Sequence, residues 1–433
     1  MEKMSRLYST VFALRPQLRT LLLSLVIVSS MLFYLYYGIY KPLSQNFDVQ
    51  GLDFYRGYMA AANLLDGRSV YDIPAWFNRY SYFPLSVVIY LPFSRLPVYE
   101  ASLAWFALSH GLVLASFFIV YKLGATQGKL LSAAAASAAV FLSMPLYQTL
   151  QTGNINILIF SGLCLAYLLM AKNRPGLLPA LLAVFASIKL APAALAAVYL
   201  RRKDVRGLIV FVLTSLALAC ASLVIFGLHE NLQYLKQFPE LSKYSHFFHG
   251  MSLTFVSGLF LGGNQLYLIL PASLALFAFL VWFWFRKAGA YPAAANGPAM
   301  AVDFFMATLV MTLTAPSIWL MYGALFTVPF YAVIHSLLSG RKGFKAVPVF
   351  VLAFILNSFW EIFYYQVPLP FANLTLRQIW LQREIWPMLA RGFFSLHFLS
   401  ALALFFWAGA NYGELLKVFS EIFGAESERK DLI

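Results

Sequence analysis

Charged residues are scarce in this chain of 433 residues. They make up 11% of the chain, whereas a soluble domain has about 25%. Hydrophobic residues reach 61%, and the mean hydropathy is +0.74. No soluble core needs that much apolar surface. The shortage of charge therefore excludes an ordinary soluble domain and indicates a polytopic integral membrane protein.

Several other features are scarce or absent. Cys164 and Cys220 both lie inside apolar stretches, which argues against a disulfide framework or a cysteine metal site. The sequence has no Walker or Rossmann glycine pattern, no Asp-x-Asp pair, no internal repeat and no low-complexity linker. We therefore predict no nucleotide pocket, no cofactor and a single integral membrane domain spanning 1–433.

The charge that is present has mostly one sign, and the net charge is +14. The basic residues form short clusters between apolar runs, which is how cytoplasmic loops are marked. This pattern predicts the lipid bilayer, and not a nucleic acid, as the partner of the basic residues.

Apolar runs of roughly 20 residues predict transmembrane helices. The predicted fold is all-α, a transmembrane helical bundle with about ten spans. These spans lie near 19–39, 101–121, 131–147, 153–171, 207–227, 264–285, 302–318, 322–338, 346–364 and 393–411.

Two further apolar pieces, 82–96 and 177–200, are interrupted by proline or charge. Irregular backbone at membrane depth lines a cavity or is buried in protein, so we expect re-entrant or broken helices there.

The basic clusters also predict orientation. With the amino terminus inside, they all become cytoplasmic under this span list. Three large segments, 41–81, 228–263 and 365–392, then lie outside, and they carry most of the polar chemistry.

The first outer segment contains two acids, Asp48 and Asp53, just beyond the first span. Tyr58, Tyr71 and Asp72 follow in the same segment. Partial desolvation raises the proton affinity of a carboxylate, so an acid at headgroup depth can act as a base. The alternative is a solvated loop acid.

Two more polar clusters follow along the chain. In Gln151-Thr-Gly-Asn-Ile-Asn156, the amides of Asn154 and Asn156 are suited either to capping a helix or to contacting an anion or a sugar. In Ser187-Ile-Lys-Leu-Ala-Pro192, a lysine lies among apolar residues, where insertion costs about 2.5–3.5 kcal/mol. We favour phosphate binding by Lys189 over snorkelling.

In this order and spacing, the clusters resemble the bacterial polyprenyl-phosphate-mannose-dependent mannosyltransferases, which are glycosyltransferase family 87 of the GT-C superfamily. The resemblance is clearest over 45–203. It rests on Asp53 with Tyr58 and Ala60, on Leu64-x-x-Gly67-Arg-x-x-Tyr71-Asp72, on Tyr82-x-Pro84, on Gly153-x-x-Asn156 and on Ile188-Lys189-x-x-Pro192.

The resemblance implies an enzyme of the inner (plasma) membrane and cell envelope. It would take a hexose, with mannose as the first candidate, from a polyprenyl-phosphate donor on the outer face and pass it to a lipid or glycan acceptor. Asp53 would be the catalytic base of an inverting reaction. Lys189, with Arg56 or Arg79, would bind the donor phosphate; Tyr58, Tyr71, Asp72, Asn154, Asn156 and His249 would contact substrate.

The sequence departs from the family pattern at several positions. Gly57 replaces the usual Tyr, and Phe83 stands in the middle of the Tyr-Pro-Pro. Late in the chain the family often has Ser-Pro-x-Ser-Trp followed by histidine. Here Ala315-Pro-Ser-Ile-Trp319 leads to Met321 and Tyr322. A base dyad of Asp with that histidine is therefore not carried over.

Histidines of the second outer segment are candidate substitutes. His246 and His249 have a spacing that could bind a metal on a helical turn, but no third ligand is evident, so we predict no metal. They are better interpreted as interfacial residues or acceptor contacts.

Two other classes of function remain open from the sequence. A transporter or lipid flippase would explain the spans and broken helices, but it would not explain the missing inverted repeat and the long, acid-bearing first outer segment. A non-catalytic assembly partner would have kept the fold and lost the histidine.

The orientation is testable by cysteine labelling. Segments 41–81, 228–263 and 365–392 should lie on one side of the membrane, opposite the loops 122–130 and 339–345, because of the Lys/Arg distribution. A membrane-impermeant thiol reagent applied to intact cells should reach single cysteines placed in the first set only. Labelling of Lys342→Cys from outside would contradict this topology.

Overall fold

The computed structural model shows a mainly helical chain. The model describes residues 16–44, 51–73, 80–243, 266–291, 297–315, 320–339 and 387–427, with the isolated positions Ser252, Leu253, Val256 and Ala353. These ranges are mainly helical and contain no strand. The predicted all-α class is confirmed.

The described residues form α-helices joined by turns and short 3₁₀ helices or separated by residues outside the described ranges. The α-helices are α1 (Pro16–Tyr34), α2 (Leu52–Leu65), α3 (Val98–Gly124), α4 (Lys129–Phe141), α5 (Met144–Thr152), α6 (Asn156–Ala171), α7 (Leu178–Ile188), α8 (Ala197–Arg202), α9 (Val205–Lys243), α10 (Leu266–Ala288), α11 (Gly297–Thr314), α12 (Thr327–Leu338), α13 (Pro387–Ala410) and α14 (Tyr412–Ser427). A π-helical turn, Leu35–Tyr40, and a further turn, Lys41–Ser44, extend α1. Short 3₁₀ helices are Pro84–Ile89, Ala125–Gln127, Pro175–Leu177, Ala191–Ala196 and Leu320–Phe326.

Four helical segments in the described part are long and apolar enough to cross a membrane. They are Pro16–Ser44, Val98–Gln127, Val205–Lys236 and Gly297–Thr314. A fifth crossing results if α4 and α5, which meet at a bend of 52°, count as one span. Other apolar helices, such as α6, are shorter, and the predicted span 346–364 lies almost wholly outside the described residues. The count of about ten stays a prediction.

Burial separates the helices into core and periphery. In α11, 94% of the most apolar window is buried inside the protein, whereas the corresponding window of Val205–Lys236 is only 6% buried. A helix that is apolar all round and buried forms a core, and one that is apolar and exposed faces lipid in a membrane protein. Helix α11 is therefore the central helix of the bundle.

The helices of segments 82–96 and 177–200 are interrupted, as the prolines and the lysine in them predicted. The segment 82–96 contains only the 3₁₀ helix Pro84–Ile89. In 177–200, helix α7 ends at Ile188, and Lys189 adopts an extended conformation with φ −140° and ψ 135°. A 3₁₀ helix, Ala191–Ala196, follows with a proline near its start. The backbone thus opens at Lys189.

The predicted outer segments contain helix as well as loop. Helix α2 lies within 41–81. Helix α9 continues into 228–263 after a kink at Gly227, where φ is 76° and ψ is 171°. Beyond the kink Asn231 and Tyr234 are buried, while Leu228, Leu232 and Leu235 are exposed. The sequence analysis did not predict this helix, although the buried and exposed residues recur at helical spacing.

A buried carboxylate connects four helices. Asp303 of α11 is 1% exposed. It accepts hydrogen bonds from Trp284 of α10 (3.1 Å) and Tyr412 of α14 (2.8 Å), and it pairs with Arg202 of α8 (3.3 Å). A buried charge needs such partners to offset its desolvation. The carboxy-terminal helix is thereby fixed to the core.

Candidate functional site

Asp53 begins the site as a buried acid in the first turn of α2. Gly51, with φ +83°, precedes the helix and lets the chain turn into it. Asp53 is only 4% exposed, and Arg56, one helical turn later, is 8% exposed. Their charged atoms, Asp53 Oδ1 and Arg56 Nη1, are 2.7 Å apart. A helix N-terminus and an adjacent cation both stabilise the ionised carboxylate.

The turn between α5 and α6 supplies the second partner of Asp53. Asn154 Nδ2 donates to Asp53 Oδ2 across 2.7 Å. The turn is held against α2 by the Gly51 N–H, which donates to the Gln151 carbonyl across 2.9 Å. Each oxygen of Asp53 therefore accepts a hydrogen bond from the protein.

Gly153 allows the turn between α5 and α6 to lie close to α2. It ends α5 in the left-handed conformation with φ +65°, and a Cβ at this position would lie 2.7 Å from Phe54 Cβ. A side chain on residue 153 would therefore push the turn away from α2. Glycine is required here for both the backbone and the close contact.

Lys189 comes to the same turn from the break after α7. Its Nζ lies 2.9 Å from Asn156 Oδ1 and 3.4 Å from Asn154 Oδ1. The rings of Tyr82 and Tyr322 lie on it, with centroids 4.9 Å and 5.2 Å from Nζ. Such cation–π contacts stabilise an ammonium removed from water.

Burial changes the acidity of Lys189. It lowers the pKa of the ammonium from 10.5 to about 8, and the nearby Asp53 carboxylate opposes that shift. The charged form prevails at neutral pH, but the group titrates within reach of ordinary assays.

The glycine that departs from the family pattern has a steric reason. Gly57 lies under the Tyr90 ring, and a Cβ there would overlap the ring atoms. Tyr90 in turn stacks on Trp105 with centroids 5.2 Å apart. The aromatic side chain expected at position 57 is excluded by this packing.

The remaining predicted residues are placed less centrally. Tyr71 is buried, and its hydroxyl donates to the Tyr82 carbonyl across 3.0 Å, so it supports the segment that carries Tyr82. Tyr58 donates to the Leu96 carbonyl across 2.9 Å. Asp72 is exposed. Asp48, Arg79 and His249, together with His246, lie outside the described residues.

Two residues of α9 that border the site, Glu230 and Tyr234, are not among the residues predicted from the sequence. Glu230 accepts hydrogen bonds from Ser69 Oγ (3.0 Å) and the Val70 N–H (3.2 Å), and so connects the loop after α2 to α9. The Tyr234 ring packs edge-on against Phe83, with centroids 5.5 Å apart. Their spacing of four residues on one helical face was the available signal.

The arrangement can do two kinds of chemistry. A carboxylate held by a cation and an amide can accept a proton, and an ammonium one amide away can bind an anion. The part of the chain that the structure describes has no group of three His, Cys, Asp or Glu side chains that could hold a metal ion.

Comparison with known proteins identifies the family. The family model for glycosyltransferase family 87 matches residues 80–316, which is more than half of the chain. The chain belongs to glycosyltransferase family 87. The matched range includes Asn154, Asn156 and Lys189 and begins after Asp53. No curated protein and no solved structure matches the chain. Membership in this family indicates a membrane glycosyltransferase, with a sugar donor and an acceptor as its substrates.

The contact at Gly153 gives a test of how the site is held. Gly153→Ala and Gly67→Ala both place a Cβ on left-handed backbone, at about 1–2 kcal/mol each. Only Gly153→Ala also meets a neighbour, because nothing lies within 4 Å of a Cβ at Gly67. We expect Gly153→Ala to cost about 1–3 kcal/mol more, measured as a larger fall in Tm of the purified protein in detergent. Equal Tm values for the two variants would contradict the packing described here.

Proposed function

We propose that this protein transfers a hexose from a polyprenyl-phosphate donor to a lipid or glycan acceptor on the outer face of the membrane. Mannose is the first candidate for the hexose. The whole chain, residues 1–433, would form one membrane domain of the GT-C type. The reaction is a single displacement that inverts the anomeric carbon.

One observation supports this proposal most. Asp53, Asn154 and Lys189 come from segments far apart in the sequence, yet they form one hydrogen-bonded chain with Arg56 and Asn156. A base and a cation separated by a single amide suit a reaction in which a hydroxyl loses a proton while a phosphate departs.

In the proposed step one bond forms at the anomeric carbon as another breaks. The acceptor hydroxyl oxygen bonds to the anomeric carbon as the bond between that carbon and the phosphate oxygen breaks. The hydroxyl proton moves to an Asp53 oxygen. The polyprenyl phosphate leaves with the bonding electrons, and the Lys189 ammonium stabilises its negative charge. Arg56 already donates to Asp53, so its first role in this scheme is to hold the base.

The length of α6 supports an outer location. Asn156, at its start, contacts Lys189, and the basic residues Lys172 and Arg174 follow its end. A helix of 16 residues rises about 24 Å, which approaches the thickness of a bilayer core. With the basic end in the cytoplasm, the site would face the periplasm or the cell exterior.

Family membership favours transfer over transport. A flippase would not need a base beside the cation, and a non-catalytic partner would not need to hold Asp53 between two donors. The direct test uses purified protein, a set of polyprenyl-phosphate sugars and a membrane lipid extract. Formation of a new glycolipid with one of the donors is the expected result. No transfer with any donor would contradict the proposal.

Asp53→Asn tests the base. The amide keeps the size of the side chain but cannot accept the proton, so we expect kcat to fall about 10²–10⁴-fold. Asp66→Asn is the matched control, since Asp66 pairs with Arg68 across 2.6 Å in the same outer segment but is exposed. It should retain full activity, and Asp48→Asn should do the same.

The ion pair adds a consequence for stability. Asp53→Asn removes a charged partner of the buried Arg56 guanidinium, so Tm should fall as well. The double variant Asp53→Asn/Arg56→Gln removes both charges and should recover Tm without recovering transfer. Undiminished turnover in either variant would show that Asp53 is not the base.

Lys189 gives a pH test whose sign follows from its pKa of about 8. The ammonium loses its proton as pH rises through 8, so kcat/KM for the donor should fall about tenfold per pH unit above it. Lys189→Arg keeps a positive charge at all accessible pH values. Its profile, normalised to its own maximum, should lack the alkaline fall, while Lys189→Ala should need more donor at every pH. An alkaline fall that persists in Lys189→Arg would assign it to another group.

A further inference from the structure

The two asparagines of the turn before α6 have different surroundings. Asn154 is 3% exposed. Its Nδ2 donates to Asp53, and its Oδ1 accepts hydrogen bonds from the Asn156 N–H (2.9 Å) and from Lys189 (3.4 Å). An amide oxygen has two lone pairs, so the acceptor capacity of Asn154 is used within the protein.

Asn156 is also buried, with 2% exposed, but within the described part of the chain only the oxygen of its amide has a hydrogen-bond partner. Its Oδ1 accepts the closer hydrogen bond from Lys189, at 2.9 Å. Its Nδ2 is buried and has no hydrogen-bond partner among the described residues. An unused buried donor is costly to leave unpaired, and this donor belongs to the same amide group that contacts the Lys189 ammonium.

From this difference we infer that Asn154 is a positioning residue that holds Asp53 at a fixed distance from Lys189 and does not touch substrate, whereas Asn156 donates its Nδ2–H to the donor phosphate beside Lys189. The inference rests on the proposed hexose transfer. It separates two residues that the sequence pattern treats alike.

The geometry explains why Asn154 suits this task. Its amide bonds Asp53 on one side and Lys189 on the other, so a single side chain sets the spacing of base and cation. Three independent contacts fix its orientation. Loss of this amide lets Asp53 move relative to the reacting hydroxyl, and misplacement of a catalytic group lowers the rate even where binding survives.

Two isosteric substitutions separate the roles. Asn154→Asp and Asn156→Asp each keep an acceptor for Lys189, and each replaces Nδ2 by an oxygen that cannot donate while the carboxylate is ionised. At Asn154 the new carboxylate faces Asp53, so kcat should fall about tenfold to a hundredfold with donor KM changed by less than about threefold. At Asn156 the new oxygen faces the phosphate, so donor KM should rise about tenfold or more.

A double-substitution cycle is the decisive measurement. If Asn154 acts through Asp53, Asn154→Ala should lower kcat in the wild-type background but have no further effect in the Asp53→Asn background. A residue that contacts substrate independently would lower activity by the same factor in both backgrounds, and that result would overturn the positioning role. Asn156→Ala, the matched control, should raise donor KM in both.

The outcomes separate this inference from the function on which it rests. No hexose transfer by the wild-type protein would overturn both. Wild-type transfer together with an additive Asn154 effect, or with equal KM changes in the two Asn→Asp variants, would overturn this inference alone. Thermal unfolding of each purified variant reports whether it folds, and because Ala and Asp variants are made at both positions, failure of one variant leaves the comparison intact.

Discussion

The structure of the site depends on the requirement that a buried carboxylate be compensated. Asp53 is removed from water in a chain with very few charges, and an isolated buried charge costs several kcal/mol. Arg56 of the same helix donates to one Asp53 oxygen, and Asn154, in a turn 101 residues away, donates to the other. Because the amide of Asn154 also faces Lys189, compensation of one acid brings α2, the turn before α6 and the break after α7 into a single arrangement.

The same physical rule operates a second time at Asp303. This carboxylate lies on the central helix, and its partners come from the helices α8, α10 and α14. The two carboxylates differ in what surrounds them. Asp303 is enclosed by side chains that satisfy it and fix the carboxy-terminal helix. Asp53 is linked onward through Asn154 to an ammonium and, beside it, to the unpaired amide donor of Asn156. The first arrangement stabilises the fold, and the second is suited to chemistry.

Aromatic side chains complete the second arrangement. The rings of Tyr82 and Tyr322 face the Lys189 ammonium. Tyr71 donates a hydrogen bond to the Tyr82 carbonyl, and Glu230 holds the loop after α2. Tyr322 follows the late stretch Ala315-Pro-Ser-Ile-Trp319, so this part of the chain contributes a ring that stabilises a cation. The Lys189 ammonium is thus held among aromatic rings and amide oxygens.

Composition and periodicity determined the class of this protein, because hydropathy is a local property that each segment carries by itself. They predicted helices and the break at Lys189. The family came from a resemblance in the order and spacing of the polar clusters, and the same clusters marked Asp53, Asn154, Asn156 and Lys189 as candidates. Only the tertiary structure decided that Arg56 pairs with Asp53, that Gly57 and Gly153 are required by packing, and that the two asparagines have different partners. It also added Glu230 and Tyr234. These facts depend on contacts between distant segments, and such contacts are set by how whole helices pack, which no local pattern records.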